Sequence, residues 1–279
     1  MVDIIYDLSR LSTRALNVTP NGIDWIDTFW ADYFVSRSSR PADTLLFGFR
    51  GPRLFPPGAI EIPTKMLDKA WGPDEKPTMD AIPKSLLTAL LGTGRASAVA
   101  RVSGQRQGAR LHQAIRIGAS LARYGLRLGS DPASHAPRGA IYINASHYPL
   151  EQSRHVAWLE ARPDVRPVFF IHDLLPVAKP NLFWSAEPAR HARRLELLAR
   201  RGAAAVVASE AVEVMLRDHM RCLGRPELPI HRANPPVLSM FDQPIETNER
   251  LAAARYFVVC GTIEPRKNHL LLVEVWRHL

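Results

Sequence analysis

The stretch Val168-Phe169-Phe170-Ile171-His172-Asp173-Leu174-Leu175-Pro176 decides the fold class of this chain. Its four leading apolar residues, two aromatic and two β-branched, predict a strand that is buried on both faces, as in a parallel sheet. The pair His172-Asp173 follows at once, and Pro176 prevents the strand from continuing. We therefore expect two ionisable side chains at the carboxyl edge of the sheet, where α/β proteins bind their ligands.

Other segments alternate in the same way between apolar strands and amphipathic helices. Strands are predicted over residues 2–8, 140–144 and 203–207 and near residue 230, and helices over residues 23–34, 150–159 and after a cap at Ser209. The prolines between residues 41 and 83 restrict that region to short strands and loops. This pattern predicts an α/β fold with a Rossmann-like, doubly wound parallel sheet.

A second β-α unit is predicted near the end of the chain. The apolar run Tyr256-Phe257-Val258-Val259-Cys260 ends at Gly261, and Thr262-Ile263-Glu264-Pro265-Arg266-Lys267-Asn268 then leads into an apolar-periodic run to Leu279. A helix start offers free backbone N–H groups and a positive dipole end, and an Arg beside a Lys suits a diphosphate. The alternative is that both cations are solvated charges in a turn.

The loop between the first strand and the first helix contains Asn21-Gly22. Its position at the carboxyl end of a strand predicts contact with a ligand. An ordinary Asn-Gly turn that caps the following helix remains the alternative.

Composition limits the partners of the chain. Its 279 residues are 46% hydrophobic, and the formal charge of +9 with a pI near 10.0 favours acidic partners such as nucleotide diphosphates, lipid phosphates or an anionic membrane. A predicted helix over residues 108–128 carries an arginine stripe that suits either anionic lipid or solvent. Two cysteines, with no signal or spanning segment, predict a cytoplasmic location without a metal site.

Two common ligand classes are disfavoured. The glycines of Leu91-Gly92-Thr93-Gly94-Arg95-Ala96-Ser97 begin like a dinucleotide fingerprint, but Ser97 replaces the third glycine and a predicted helix precedes them. No zinc, helix-turn-helix or aromatic-stacking signature accompanies the dispersed arginines, so nucleic acid is not an expected partner.

The segments at residues 170–176 and 258–268 resemble family-4 retaining glycosyltransferases of the GT-B fold, of the mannosyl- and rhamnosyltransferase type found in polysaccharide assembly. The resemblance covers nearly the whole chain. It implies an N-terminal Rossmann-like, acceptor-side domain over residues 1–241 and an interdomain linker over residues 242–254. Residues 255–279 would then be the start of a truncated C-terminal domain that binds the nucleotide sugar.

The resemblance also implies roles for particular residues. Gly261, Arg266 and Lys267 would hold the diphosphate of the nucleotide sugar, and Glu264 would belong to the same nucleotide-sugar site. The loop with Asn21 and Gly22 would approach the acceptor and the donor phosphate. His172 would lie beside the donor sugar as a positioning and electrostatic partner, and Asp173 would fix the loop or orient His172. The chain departs from the family pattern at Asn268, where glycine is frequent, and at Asp24, where a small or basic residue is usual.

The function that follows from this resemblance is transfer of a sugar from a nucleotide-sugar co-substrate to a glycan or lipid-linked acceptor, with retention and without a cofactor. Cytoplasmic action at the inner face of the membrane, with peripheral contact to anionic lipid, is a further expectation. The alternative is a catalytically inactive fragment that acts as an acceptor- or membrane-binding module, since activity of this chain alone is left open.

Overall fold

The computed structural model describes residues 2–14, 21–48, 51–59, 129–235, 257, 259, 261 and 264–278. The chain divides into two compact units. The first comprises Met1–Gly72 and Leu111–Pro236, and the second comprises Pro73–Arg110 and Val237–Leu279. The predicted domain limits at residues 241 and 254 lie outside the described ranges and stay predictions.

The described part of the first unit contains one seven-stranded sheet. Its strands are β1 (Ile4–Asp7), β2 (Asp43–Gly48), β3 (Gly51–Phe55), β4 (Ile141–Asn144), β5 (Arg166–Ile171), β6 (Ala204–Val207) and β7 (Ile230–Arg232). The spatial order is β3-β2-β1-β4-β5-β6-β7, and only β2 and β3 pair antiparallel. This mostly parallel, helix-flanked sheet is Rossmann-like and confirms the predicted α/β class.

Helices cover the sheet and connect its strands. They are α1 (Ser9–Arg14), α2 (Gly22–Ala31), α3 (Pro132–His135), α4 (Ser153–Ala161), α5 (Leu175–Ala178), α6 (Glu187–Arg201) and α7 (Glu210–Cys222). A π-helical segment, Asp32–Arg37, continues α2, and a 3-10 turn, Pro180–Leu182, follows α5. The predicted cap of α7 is confirmed, because the Ser209 side chain accepts a hydrogen bond from the Val212 N–H.

The sheet is buried on both faces. In β1, Ile5 and Tyr6 are both fully buried but belong to two separate core clusters. Tyr142 and Ile143 divide in the same way in β4. Successive side chains of a strand point to opposite faces, so each face of the sheet has its own hydrophobic core. This two-sided burial accounts for the nearly continuous apolar runs in the sequence.

The topology places a crevice at the carboxyl ends of β1 and β4. These neighbouring strands pair in parallel, but β2 lies on one side of β1 and β5 lies on the far side of β4. Such a reversal of strand order leaves the following loops on opposite sides and opens a space for a ligand. The residues that follow Asp7, Asn144 and Ile171, the last residues of β1, β4 and β5, therefore lie at this edge of the sheet.

The second unit is described only in its last part. Helix α8 (His269–His278) follows a 3-10 turn, Pro265–Lys267, as predicted. Of the predicted strand at residues 256–260, the described Phe257 and Val259 are exposed and lie in no strand. The rest of that strand, the predicted linker and the predicted helix at residues 108–128 lie outside the described residues.

Candidate functional site

The loop after β4 is held by the side chain that ends the strand. The Asn144 Oδ1 accepts hydrogen bonds from the backbone N–H groups of Ser146 (3.2 Å) and His147 (2.9 Å), and its Nδ2 donates to the Tyr148 carbonyl. His147 has a positive φ of 66°, a conformation that few non-glycine residues adopt. The loop is therefore fixed in an unfavourable backbone conformation by buried hydrogen bonds.

The His147 imidazole reaches across to the end of β5. Its Nε2 accepts a hydrogen bond from the backbone N–H of His172, with 3.2 Å between the two nitrogens. Burial, followed by the nearby His172, His191 and Arg194, holds the pKa of His147 well below its usual range. His147 is thus a neutral, buried ring that joins the two strand ends.

His172 lies where the sequence places it, at the carboxyl end of β5. Its Nε2 donates a 2.7 Å hydrogen bond to the Ala145 carbonyl. Burial and the Arg10 charge lower its pKa, against the opposing effects of that hydrogen bond and of Asp173. Because Nε2 carries the proton of the neutral ring, Nδ1 holds a lone pair, for which the described residues provide no hydrogen-bond partner.

Asp173 shapes the loop that follows. Its Oδ1 accepts a hydrogen bond from the Leu175 N–H at 3.1 Å, which fixes the start of α5. Burial lowers the pKa of the nearby His191, and Asp173 opposes this shift. The two predicted roles of Asp173, fixing the loop and orienting His172, stay predictions.

His191, in α6, forms the third ring of a cluster with His147 and His172. The His147 ring centroid lies 4.8 Å from that of His172 and 5.5 Å from that of His191. His191 is buried, its pKa is lowered by burial and by Arg194, and its Nε2 has no hydrogen-bond partner among the described residues. We call His147, His172 and His191 the histidine cluster.

A groove opens beside the histidine cluster. Its lining includes Ile26, Trp30, Phe170, His172, Ala208 and Pro235. The walls are mainly apolar and come from α2 and from the ends of β5, β6 and β7. His172 is the titratable side chain of this lining. A ligand in the groove would meet apolar and aromatic surface together with one imidazole.

The end of the loop before α2 forms a capping box with the first turn of the helix. The Asn21 Oδ1 accepts from the Asp24 N–H at 3.0 Å, and the Asp24 Oδ2 accepts from the Asn21 N–H at 2.9 Å. Asp24 is fully buried and also binds the guanidinium groups of Arg10 and Arg14. The unusual residue at position 24 is therefore a helix cap and a counter-ion. Gly22 begins α2 with nothing within 4 Å of the position that a Cβ would take.

A second buried network lies under the same sheet edge. The Asp7 Oδ2 faces the His155 Nε2 at 2.8 Å and accepts from the Tyr142 hydroxyl and the Asn144 Nδ2, while its Oδ1 accepts from the Ser9 N–H. Burial raises the pKa of Asp7, but the His155 charge and these hydrogen bonds lower it more, so the net shift is downward. We call this set the Asp7 network.

Asp27 of α2 is a contrasting buried carboxyl group. Its Oδ1 accepts a 2.7 Å hydrogen bond from the Tyr6 hydroxyl, whereas its Oδ2 is buried with no partner in the described part of the chain. Burial raises the pKa of Asp27 to about 7, although the Tyr6 hydrogen bond and Arg10 oppose the shift. Asp27 therefore changes charge close to neutral pH.

The predicted diphosphate residues lie in the second unit. Lys267 packs its side chain beside Gly261, with its Cε 3.9 Å from the place of an added Cβ. Arg266 forms a 2.7 Å ion pair with Glu264, which precedes the 3-10 turn. Asn268 has a left-handed φ of 47°, a conformation that glycine adopts freely and asparagine tolerates. Asparagine therefore tolerates the left-handed backbone conformation at this position.

Sequence reasoning placed His172 and Asp173 on the functional edge but missed His147, His191 and the Asp7 network. His147 and His172 are 25 positions apart, and only the parallel pairing of β4 with β5 brings them together. The segment Ala145-Ser146-His147, which directly follows the predicted strand at residues 140–144, is the signal that could have identified His147.

Several wider properties complete the description. In the described ranges, no group of three or more His, Cys, Asp or Glu side chains is arranged to hold a metal ion. None of the helices there combines the length and apolar character that crossing a bilayer requires. Comparisons with protein-family models, curated proteins and solved structures find no match to this chain.

Proposed function

We propose that this chain is part of a GT-B glycosyltransferase that transfers a sugar from a nucleotide sugar to a glycan or lipid-linked acceptor. The observation that carries the proposal is His172. It lies at the carboxyl end of a Rossmann-like β5, lines a groove and keeps the Nδ1 lone pair of a neutral ring. That atom can accept a hydrogen bond from a sugar hydroxyl, and the apolar walls can pack on the ring carbons.

The second unit supports the other half of the proposal. Arg266 and Lys267 lie in the turn immediately before α8, and Lys267 is next to Gly261. These cations and the helix start suit a diphosphate, whose charge they would neutralise as it leaves. Transfer would need no protein nucleophile, because the leaving phosphate can assist deprotonation of the acceptor. The site of action would be cytoplasmic, at the inner face of the membrane.

The experiment that tests the proposal is isothermal titration of the purified chain with UDP, GDP and their hexose derivatives. Lys267→Ala is compared with Arg277→Ala, an exposed cation of α8 in the same unit. Loss of one charge-assisted hydrogen bond predicts at least about tenfold weaker diphosphate binding for Lys267→Ala only. Equal affinities for both variants and the unmodified chain would refute the diphosphate role of Lys267.

His172→Ala tests the sugar contact that is proposed for the groove of the first unit. We expect this variant to bind the bare nucleotide as the unmodified chain does, but to bind the matching nucleotide sugar about five- to tenfold more weakly, because one hydrogen bond is lost. A variant that keeps full nucleotide-sugar affinity would contradict the role given to His172. Absence of any nucleotide binding would favour the acceptor- or membrane-binding module instead.

A further inference from the structure

The loop between β4 and α4 holds His172 at two points. The Ala145 carbonyl accepts from the His172 Nε2 at 2.7 Å, and the His147 Nε2 accepts from the His172 backbone N–H at 3.2 Å. Both acceptors belong to the loop that Asn144 anchors. The main chain and the imidazole of His172 are therefore fixed relative to the same short segment.

His147 extends the pairing of β4 with β5 beyond the last residue of β4. The backbone ladder pairs Asn144 with Phe169 and then ends. Past that point the His147 imidazole continues the contact between the two strands, since its Nε2 accepts a hydrogen bond from the backbone N–H of His172. An acceptor nitrogen must carry a lone pair, so this contact exists only while His147 is neutral.

The surroundings of His147 keep it neutral and immobile. The ring is buried between His172 and His191. The charged groups near the cluster include Arg194 and Glu187 of α6, Asp173 after β5 and Arg10 of α1. Arg194 is itself paired with Glu151 and Glu187. A positive charge on His147 would face Arg194 in a desolvated site, which is unfavourable.

We propose that His147 is a positioning residue for His172: its Nε2 fixes the His172 backbone so that the His172 side chain donates from Nε2 and presents Nδ1 as an acceptor. The significance of that acceptor for sugar binding rests on the proposed function. The positioning itself is a property of the first unit. It also explains why an energetically unfavourable left-handed conformation is kept at a histidine, because this conformation aims the ring at β5.

Nuclear magnetic resonance of the imidazole nitrogens of the whole chain tests the proposal. In the unmodified chain we expect His172 as a single Nε2–H tautomer and a coupling across the hydrogen bond between the His172 amide and the His147 Nε2. His147→Asn tolerates the left-handed backbone but has too short a side chain to reach the amide. His147→Gln can return an acceptor oxygen near the position of Nε2.

The two variants give opposite expectations. In His147→Asn, the His172 imidazole should populate both tautomers, and protection of its amide against hydrogen exchange should fall about tenfold. In His147→Gln, both signals should remain close to those of the unmodified chain. Amide spectra of the rest of the sheet show whether each variant is folded.

Three results would overturn the proposal. One is a folded His147→Asn variant with an unchanged His172 tautomer and unchanged amide protection. Another is a His147→Gln variant that behaves like His147→Asn. The third is the absence of the coupling in the unmodified chain, which requires no substitution and so decides the matter even if a variant does not fold. No nucleotide enters these measurements, so failure of the proposed function would leave their result intact.

Discussion

Two histidines near the carboxyl edge of the sheet, the buried His155 and the partly buried His172, differ in their hydrogen-bond partners. His155 is fully buried and faces the Asp7 carboxylate at 2.8 Å. His172 borders a groove, its Nε2 donates to the Ala145 carbonyl, and its backbone N–H donates to the His147 Nε2. The ring of His155 thus meets a carboxylate, whereas the ring of His172 meets a carbonyl acceptor, which leaves the Nδ1 of the neutral ring with a lone pair.

The difference shows that burial alone does not determine which hydrogen bonds a histidine ring makes. His155 contributes to the hydrogen bonding of a buried carboxylate and has no access to the groove. His172 directs one nitrogen to the loop and has a second nitrogen without a partner among the described residues. The partner atoms, rather than the residue type, distinguish His155, which belongs to the Asp7 network, from His172, whose proposed role is ligand binding.

Replacing Asp7, the central carboxylate of the Asp7 network, should have the largest effect on the stability of the fold. Asp7→Asn removes the charge that His155 faces and offers an N–H group to donors that need an acceptor. We expect a loss of about 3–5 kcal/mol in the free energy of unfolding, measured by urea denaturation. Asp218→Asn, which breaks an exposed pair with Arg221, should change it by less than about 0.5 kcal/mol.

The effect of Asp7 should also depend on pH. Its folded pKa is lowered, so its contribution is present above the unfolded value of about 3.9 and is lost as the pH falls through the folded value. The difference in stability between the unmodified chain and Asp7→Asn should therefore shrink in acid. A difference below about 1 kcal/mol at neutral pH would show that the Asp7 network does not stabilise the fold.

Asp27 sharpens the comparison, because it is as buried as Asp7 but has a single hydroxyl donor. Its folded pKa is raised to about 7, so its contribution is present below the unfolded value and is lost as the pH rises to 7. At 1.36 kcal/mol per pKa unit, the stability of the unmodified chain relative to Asp27→Asn should fall by about 3 kcal/mol between pH 5 and pH 8.

Comparison with Asp27→Asn is needed because the histidine cluster titrates in the opposite direction. The pKa values of His147, His172 and His191 are lowered, so their contribution is lost as the pH falls. Both proteins contain the histidine cluster. Subtracting the unfolding free energy of Asp27→Asn from that of the unmodified chain at each pH therefore removes the contribution of the histidines. Parallel curves for the two proteins would mean that Asp27 is ionised throughout and that its unpartnered Oδ2 has no energetic consequence.

The sequence predicted the parts of the site that depend on local pattern. An apolar run ending in His172-Asp173 locates the strand and its carboxyl edge, and Ser209 locates a helix cap, because each signal lies within a few residues. The Asp7 network and His147 depend on contacts over long sequence separations. Asp7 and His155 are 148 positions apart, and no local pattern pairs them. For the loop at Asn21, local pattern supported both capping and ligand contact, and the structure confirms the capping.

The smallest predicted effects come from two substitutions in the loop before α2, which separate helix capping from ligand contact. Asn21→Ala removes the capping box and should cost about 1 kcal/mol in unfolding free energy. Gly22→Ala adds a methyl group into open space at the first position of the helix and should stabilise the chain by about 0.5 kcal/mol, because alanine favours helix. Thermal or urea unfolding measures both changes.

Nucleotide titration of the Gly22→Ala variant then tests whether this loop contacts a ligand or only caps α2. If a phosphate approaches the backbone closely here, the added methyl group should weaken binding about tenfold while stability rises, because the close approach is blocked. If affinity is unchanged, the loop only starts α2, and the predicted ligand role of Asn21 and Gly22 is wrong. A stabilised variant with weaker binding cannot be explained by helix capping, since capping changes only the folding equilibrium.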